Sequence, residues 1–189
     1  MILQYGVPGK KALSETEAIQ WHDIRKPPFA LHGLCNPLTE KRFHRLPEDV
    51  ARATSEGVSK LQWECAGGRV RFSTDSDFIA LRVTYHAITR ASHMTLVASA
   101  GFDLYADGPF GSRYIADFRV PYEADETGFQ QVIVPPSSGM TAYTVNFPIH
   151  SSPDTVEIGL RPGALLGAEA PYRALAPVLF YGSSIVHGT

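Results

Sequence analysis

Ser183 and Ser184 are the residues of this 189-residue chain best placed to do chemistry. They follow Val178, Leu179, Phe180, Tyr181 and then Gly182. An unbroken apolar run of this length predicts a strand buried on both faces, as in a parallel sheet. A strand that ends at a glycine and then a serine holds a hydroxyl in a fixed place and lets substrate approach the backbone. The chemistry this suits is nucleophilic attack. Ser184 is the candidate nucleophile and its backbone N–H a candidate oxyanion donor. Ser183 reads as a turn residue. The spacing is not the G-x-S-x-G elbow, because Val186 stands where the second glycine would be.

Other candidates are weaker. His187 lies three residues after Ser184 and invites reading as a base, but local geometry rarely aligns such near neighbours. His93 and Asp103 suggest a dyad. The plainer reading has Asp103 bonding backbone or an arginine at a strand end, and His93 as an interior or edge histidine. His32 and Cys35 have a ligand-like spacing with no second pair, so no metal is expected, and no cofactor motif is present. Tyr105, Tyr114 and Tyr122 offer a sugar-binding face, against the commoner role of such rings in a core.

The elements that must position these residues show a period of two. Val70 and Phe72 alternate with Arg69, Arg71 and Ser73. Ile79, Leu81, Val83 and Tyr85 alternate with polar or small residues. Residues 94–99, 102–106, 114–120, 131–134, 143–147 and 156–160 give further short strands, separated by turns such as Thr74-Asp75-Ser76-Asp77 and Asp107-Gly108-Pro109. The fold class expected is mainly β, an antiparallel jelly-roll-like β-sandwich, followed by the first strand of an α/β domain. Ser14 and Glu17 fit a capping box, and Ala18, Ile19 and Trp21 would give a helical turn or two an apolar side before Pro27-Pro28. Residues 29–34 predict a short strand or arm. Leu46-Pro47-Glu48-Asp49-Val50 predicts a helix start, and residues 61–65 a strand or irregular segment.

Hydrophobic residues make up 44% and charged residues 19%, which fits a globular domain rather than a disordered chain. A net charge of −2 gives no reason to expect nucleic acid or an anionic membrane as partner. No apolar run approaches the roughly 20 residues that span a bilayer, and the start carries no secretory pattern, so a cytoplasmic location is expected. Cys35 and Cys65 are too few for a disulfide framework and are expected to stay reduced.

Tyr181-Gly182-Ser183-Ser184-Ile185 resembles the first sequence block of the SGNH (GDSL) hydrolases, Gly-Asp/Ser/Thr-Ser-Leu/Ile, and Gly188 suits its continuation. Gly101-Phe102-Asp103-Leu104-Tyr105 resembles the Gly-x-Asp-Leu-Tyr signature of a sandwich domain that precedes SGNH esterase domains. Arg45-Leu46-Pro47, the stretch from Ala66 through Phe72, Thr74-Asp75-Ser76 and His93-Met94 agree with it. His187 departs from the polar residue, such as glutamine, expected at its position. The resemblance implies a serine esterase in which Ser184 forms an acyl-enzyme and the base comes from a later Asp-x-x-His block and not from His187. It further implies that the sandwich helps select the alcohol part of a small acyl ester, a sugar or other polyol. Acyl transfer to a hydroxyl acceptor is the alternative within the family, and a non-catalytic ligand-binding module the alternative outside it.

On this reading residues 1–45 are an arm, 46–165 the sandwich, 166–176 a linker and 177–189 the start of the hydrolase domain. The base, its aspartate and the remaining oxyanion donors would belong to a carboxy-terminal SGNH partner segment. The apolar tail is expected to pair with that segment, a second chain or the sandwich. The 189-residue polypeptide alone is therefore expected to give no Ser184-dependent hydrolysis of p-nitrophenyl acetate, a result that a simple absorbance assay checks.

Overall fold

The computed structural model describes residues 18–172 continuously, with residues 174–176, 178, 182 and 185–187 and the backbone of Ile2–Tyr5 and of residue 184. The elements in chain order are β1 (Ile2–Tyr5), β2 (Gln20–Asp23), β3 (Ala30–His32), α1 (Glu48–Thr54), α2 (Glu56–Leu61), β4 (Arg69–Thr74), β5 (Ile79–Ala87), α3 (Leu96–Ala100), β6 (Phe102–Gly108), β7 (Gly111–Phe118), β8 (Phe129–Ile133), β9 (Thr141–Asn146), β10 (Ser152–Leu160), β11 (Leu166–Gly167) and α4 (Ser184–His187).

The strands form two sheets. One runs β1-β8-β5-β10-β2 and is antiparallel except where β1 joins β8. The other runs β11-β4-β9-β6-β7. β3 also pairs with β4, along residues 69–71, while β11 takes residues 73–74. Since β9 occupies the other side of β4, β3 and β11 lie end to end on one edge.

The period of two in the sequence becomes the two faces of each sheet. Val70 and Phe72 from β4, Leu81 and Val83 from β5, Phe102 and Leu104 from β6, Tyr143 and Val145 from β9, and Val156 and Ile158 from β10 meet in one apolar core. Burying each such large side chain contributes about 1.5–3 kcal/mol. Ring contacts order this core: Phe72 lies 5.9 Å from Tyr143 and Phe102 lies 5.3 Å from Phe147.

The segment before Arg45, read from sequence as an arm, supplies strands to both sheets. It also sends Phe29 and Phe43 into the core, where Phe43 packs 5.2 Å from Phe147. The helical turn expected around Ala18, Ile19 and Trp21 is instead β2. Three apolar residues are too few to hold a helix, and β10 offers an open edge, which residues 20–23 fill. Trp21 then covers Phe78, Ala80 and Val132 on the outer face of the first sheet. The capping box at Ser14 and Glu17 lies outside the described residues.

Helix α1 starts where the acids at Glu48 and Asp49 predict, with Pro47 before it. Ser55 breaks it and caps α2, its Oγ accepting from Val58 N–H at 3.2 Å. Residue 61 closes α2, and irregular turns follow to Cys65. The strand expected over residues 94–99 is a correction: residues 96–100 form α3. Tertiary bonds decide it. The carbonyls of Ala98 and Ser99 accept from the backbone N–H groups of Ile149, His150 and Ser151, and Tyr85 donates its hydroxyl to Ala100 at 2.5 Å.

Gly101 closes α3 and opens β6. A Cβ at Gly101 would sit 2.4 Å from the Val97 carbonyl oxygen and 2.9 Å from that of Phe118, so neither backbone leaves room. Gly101→Ala is expected to destabilise the domain by about 1–3 kcal/mol through overpacking, read as a lower denaturation midpoint with an unchanged slope.

Candidate active site

The outer face of the second sheet carries the polar half of the alternation in three rungs across β4, β9, β6 and β7. They are Arg69–Asn146–Asp103–Asp117, Arg71–Thr144–Tyr105–Tyr114 and Ser73–Ala142–Asp107–Ser112. The Gly-x-Asp-Leu-Tyr stretch is thereby divided: Phe102 and Leu104 face the core, and Asp103 and Tyr105 face outward. Burial raises the Asp103 pKa, and neighbouring Asp117 raises it further by repulsion and by accepting a hydrogen bond from the protonated acid. Tyr105 and Tyr114 meet edge to face at 5.6 Å. Burial and Asp117 push the Tyr114 phenol up to about 12. Tyr122 stands apart in the β7–β8 loop, 82% exposed.

Arg71 is buried on this outer face. Its Nη2 donates to Asp107 at 3.1 Å, its Nη1 to Glu169 at 2.6 Å and its Nε to Thr144 Oγ1 at 3.2 Å. Thr144 passes its own hydroxyl proton to Asp107 at 2.8 Å. The Tyr172 ring lies 4.0 Å over the guanidinium, and His32 donates to Glu169 at 2.9 Å. A buried cation needs such partners. Two of them, Glu169 and Tyr172, belong to the stretch expected as a linker. Residues 166–172 are thus seated on the sandwich, beside a cleft of about 770 Å³ lined by Arg71, Asp107, Phe110, Ser112 and Tyr172.

The chain then reaches α4. Ser184 opens this short helix; its side chain, like Ser183, lies outside the described residues. Of the strand expected over residues 178–181, residues 179–181 also lie outside them, and Val178 is exposed and in no strand. A Cβ at Gly182 would come within 2.5 Å of Val186 Cγ2, so the valine side chain would have to move. His187 carries the contact with the sandwich. Its Nε2 lies 3.3 Å from the Ile149 carbonyl oxygen and 3.3 Å from Glu64 Oε2. The same carboxylate oxygen takes His150 Nδ1 at 2.9 Å, and the two imidazole rings lie 4.9 Å apart.

Both acceptors at His187 are oxygens that only accept, so Nε2 carries the proton there. By the same logic Nδ1 carries it in His150. The ligand atoms of Glu64, His150 and His187 lie within 4.8 Å of one another, close enough for a metal ion. In the structure the same atoms are linked by the His150–Glu64 hydrogen bond, with His187 Nε2 3.3 Å from that carboxylate. Sequence reasoning found His187 but missed Glu64 and His150. No spacing signals them, since their contact joins positions 86 residues apart.

The remaining candidates are not brought together. His93 is exposed in the turn before α3 and has no bond to Asp103. Asp103 faces Asp117, where a strand-end backbone or arginine partner was expected. His32 serves Glu169, and Cys35 is a free thiol with its backbone N–H bonded to the His44 carbonyl. Cys65 is buried and free, and burial pushes its thiol up to about 12 against the pull of Arg45 and Arg42. Among the described residues no helix is long and apolar enough to cross a membrane.

The described fold is a two-sheet sandwich with residues 166–172 and the short helix α4 seated against it. Residues 19–166 match the family described as GxDLY, the N-terminus of SGNH-hydrolase-type esterases, and the chain belongs to that family. Two solved structures share the fold. One is a protein described as a GDSL-like lipase from Bacteroides ovatus, at TM-score 0.70 and 19% identity, covering 81% of this chain and 44% of its own. The other is the salicylyl-acyltransferase SsfX3 from a tetracycline biosynthetic pathway, at TM-score 0.57 and 16% identity, covering 82% and 42%. The chain thus spans less than half the length of either. No curated protein matches it.

Burial and the nearby Arg45 lower the His187 pKa below its usual 6.5, against the opposing effects of the Ile149 bond and Glu64. A lowered imidazole pKa means the docked state binds fewer protons than the undocked one. Docking is then fully present above about pH 6.5 and lost as pH falls through the lowered value. Histidine NMR titration is expected to show His187 titrating below 6.5 and α4 releasing in the same acid range.

Proposed function

We propose that this chain provides the recognition sandwich and the nucleophilic serine of an SGNH-type ester hydrolase. The observation that carries this is the seating of α4 on the sandwich through His187. Ser184 Oγ attacks the ester carbonyl carbon and loses its proton to a histidine base of the SGNH domain. The Ser184 N–H supports the oxyanion. Collapse of the tetrahedral adduct breaks the ester C–O bond, and the alcohol leaves with the proton the base returns. Water then cleaves the acyl-serine and releases the acid. A hydroxylated acceptor in place of water makes the same site an acyltransferase, and the fold shared with both solved proteins accommodates either outcome.

The sandwich's share in recognition falls to a cleft of about 290 Å³ next to α4's seat. Trp63, Arg42, Lys60 and Ser152 line it, with the Arg42 guanidinium 4.1 Å over the Trp63 ring. An aromatic plane beside several donors suits a polyol or sugar alcohol.

The natural gene product is expected to release a burst of p-nitrophenol from p-nitrophenyl esters, equal to one per active site. Ser184→Ala removes both burst and turnover. Trp63→Ala raises KM about tenfold for sugar esters with little change in kcat, since it removes binding common to ground and transition states. Turnover undiminished by Ser184→Ala would end the proposal.

A further inference from the structure

We infer that Glu64 and His187 are positioning residues for the nucleophile: a carboxylate of the sandwich fixes the helix that carries Ser184. The inference rests on the role proposed for Ser184 and adds residues outside the nucleophile block to that site. Two other parts of the chain converge on Glu64 Oε2: it accepts from His150 Nδ1 at 2.9 Å, and His187 Nε2 lies 3.3 Å from it.

The acceptor side is rigid. Glu64 follows α2, with its N–H bonded to the Leu61 carbonyl, and precedes the buried Cys65. His150 is held by its own N–H, which donates to the Ser99 carbonyl at the end of α3. Its Nε2 is buried without a partner, so the bond from Nδ1 to Glu64 is the one polar contact its ring has. Without Glu64 that ring would be left with two unmet nitrogens, a costly state. The donor side is a single turn of helix. Ile185 and Val186 are 82% and 52% exposed, so His187 is the described side chain of α4 that the sandwich holds. Ser184 and His187 belong to the same four-residue turn of helix, so holding one end of it holds the backbone of the other.

His187 does not act as the base on this reading. Its Nε2–H donates to the Ile149 carbonyl and sits 3.3 Å from the Glu64 carboxylate. What these contacts supply is an anchor that fixes the rotation and depth of the helix, and with them the position of the Ser184 backbone. Catalytic geometry is steep, and a displacement of about 1 Å costs on the order of 10²-fold in rate.

The test is steady-state kinetics on the natural gene product with p-nitrophenyl acetate, with far-UV circular dichroism to check folding. His187→Leu keeps the bulk and removes the donor. It is expected to lower kcat by about 10²-fold with KM within about twofold, the split expected when groups acting on bound substrate are misplaced. His187→Gln returns an N–H within reach of Glu64 and is expected to recover most of that loss. Glu64→Ala is expected to lower kcat in the same direction as His187→Leu, and the double variant to cost less than the two losses added, because both disturb one shared contact. A His187→Leu enzyme with undiminished kcat, or a His187→Gln enzyme as slow as His187→Leu, would overturn the inference. Turnover that survives Ser184→Ala ends this inference and the proposed function together, whereas turnover that needs Ser184 but ignores His187 ends this inference alone.

Discussion

A guanidinium taken out of water must be met by carboxylates, and the course of this chain after the sandwich follows from that requirement. Arg71 sits in the middle of β4 on the face away from the core, where alternation alone would leave it in solvent. One of its carboxylates, Asp107, comes from the same sheet. The other, Glu169, comes from the exiting chain, and Tyr172 closes over the cation. Removing one partner from such a buried group is far more costly than never having built it. The chain as far as Tyr172 is therefore held on the sandwich by this cation.

The Gly-x-Asp-Leu-Tyr signature has a physical reading that divides its members. Gly101 is demanded by two backbone carbonyls, and Phe102 and Leu104 by the core. Asp103 and Tyr105 are not needed for packing. They face outward on neighbouring rungs, with a second carboxylate and a second tyrosine directly across from them. This polar face and the α4 seat belong to different parts of the domain, so one sandwich can present two surfaces to whatever it flanks. The family assignment covers the sandwich, residues 19–166.

Much of the fold was legible because one face of each sheet is dry and the other is not. Val70, Phe72, Leu81, Val83, Phe102 and Leu104 announced themselves by alternation, and all lie in the core. Three features were not legible, each for a tertiary reason. β2 is four residues long and exists because β10 needed an edge partner. α3 has a strand-like composition, but its last carbonyls are claimed by the β9–β10 loop. Arg71 reads as an exposed arginine until a segment about 100 residues later covers it. The site follows the same division. Ser184 and Gly182 stand out locally as a strand-glycine-serine pattern, and a Cβ at the glycine would displace the Val186 side chain. Glu64 and His150 were invisible, because their importance lies in a meeting of chain segments that no short motif encodes.

The shared edge of β4 has a further consequence. β3 comes from the beginning of the domain and β11 from its end, and together they shield a row of backbone groups that would otherwise lie open. Unshielded strand edges recruit strands from other molecules. Loss of either short cover strand, by proteolysis or by cutting the domain too closely, would leave a template for edge-to-edge polymerisation while the hydrophobic interior remained intact. Five residues at the margins of the sandwich thus close an edge that would otherwise stand open to other strands.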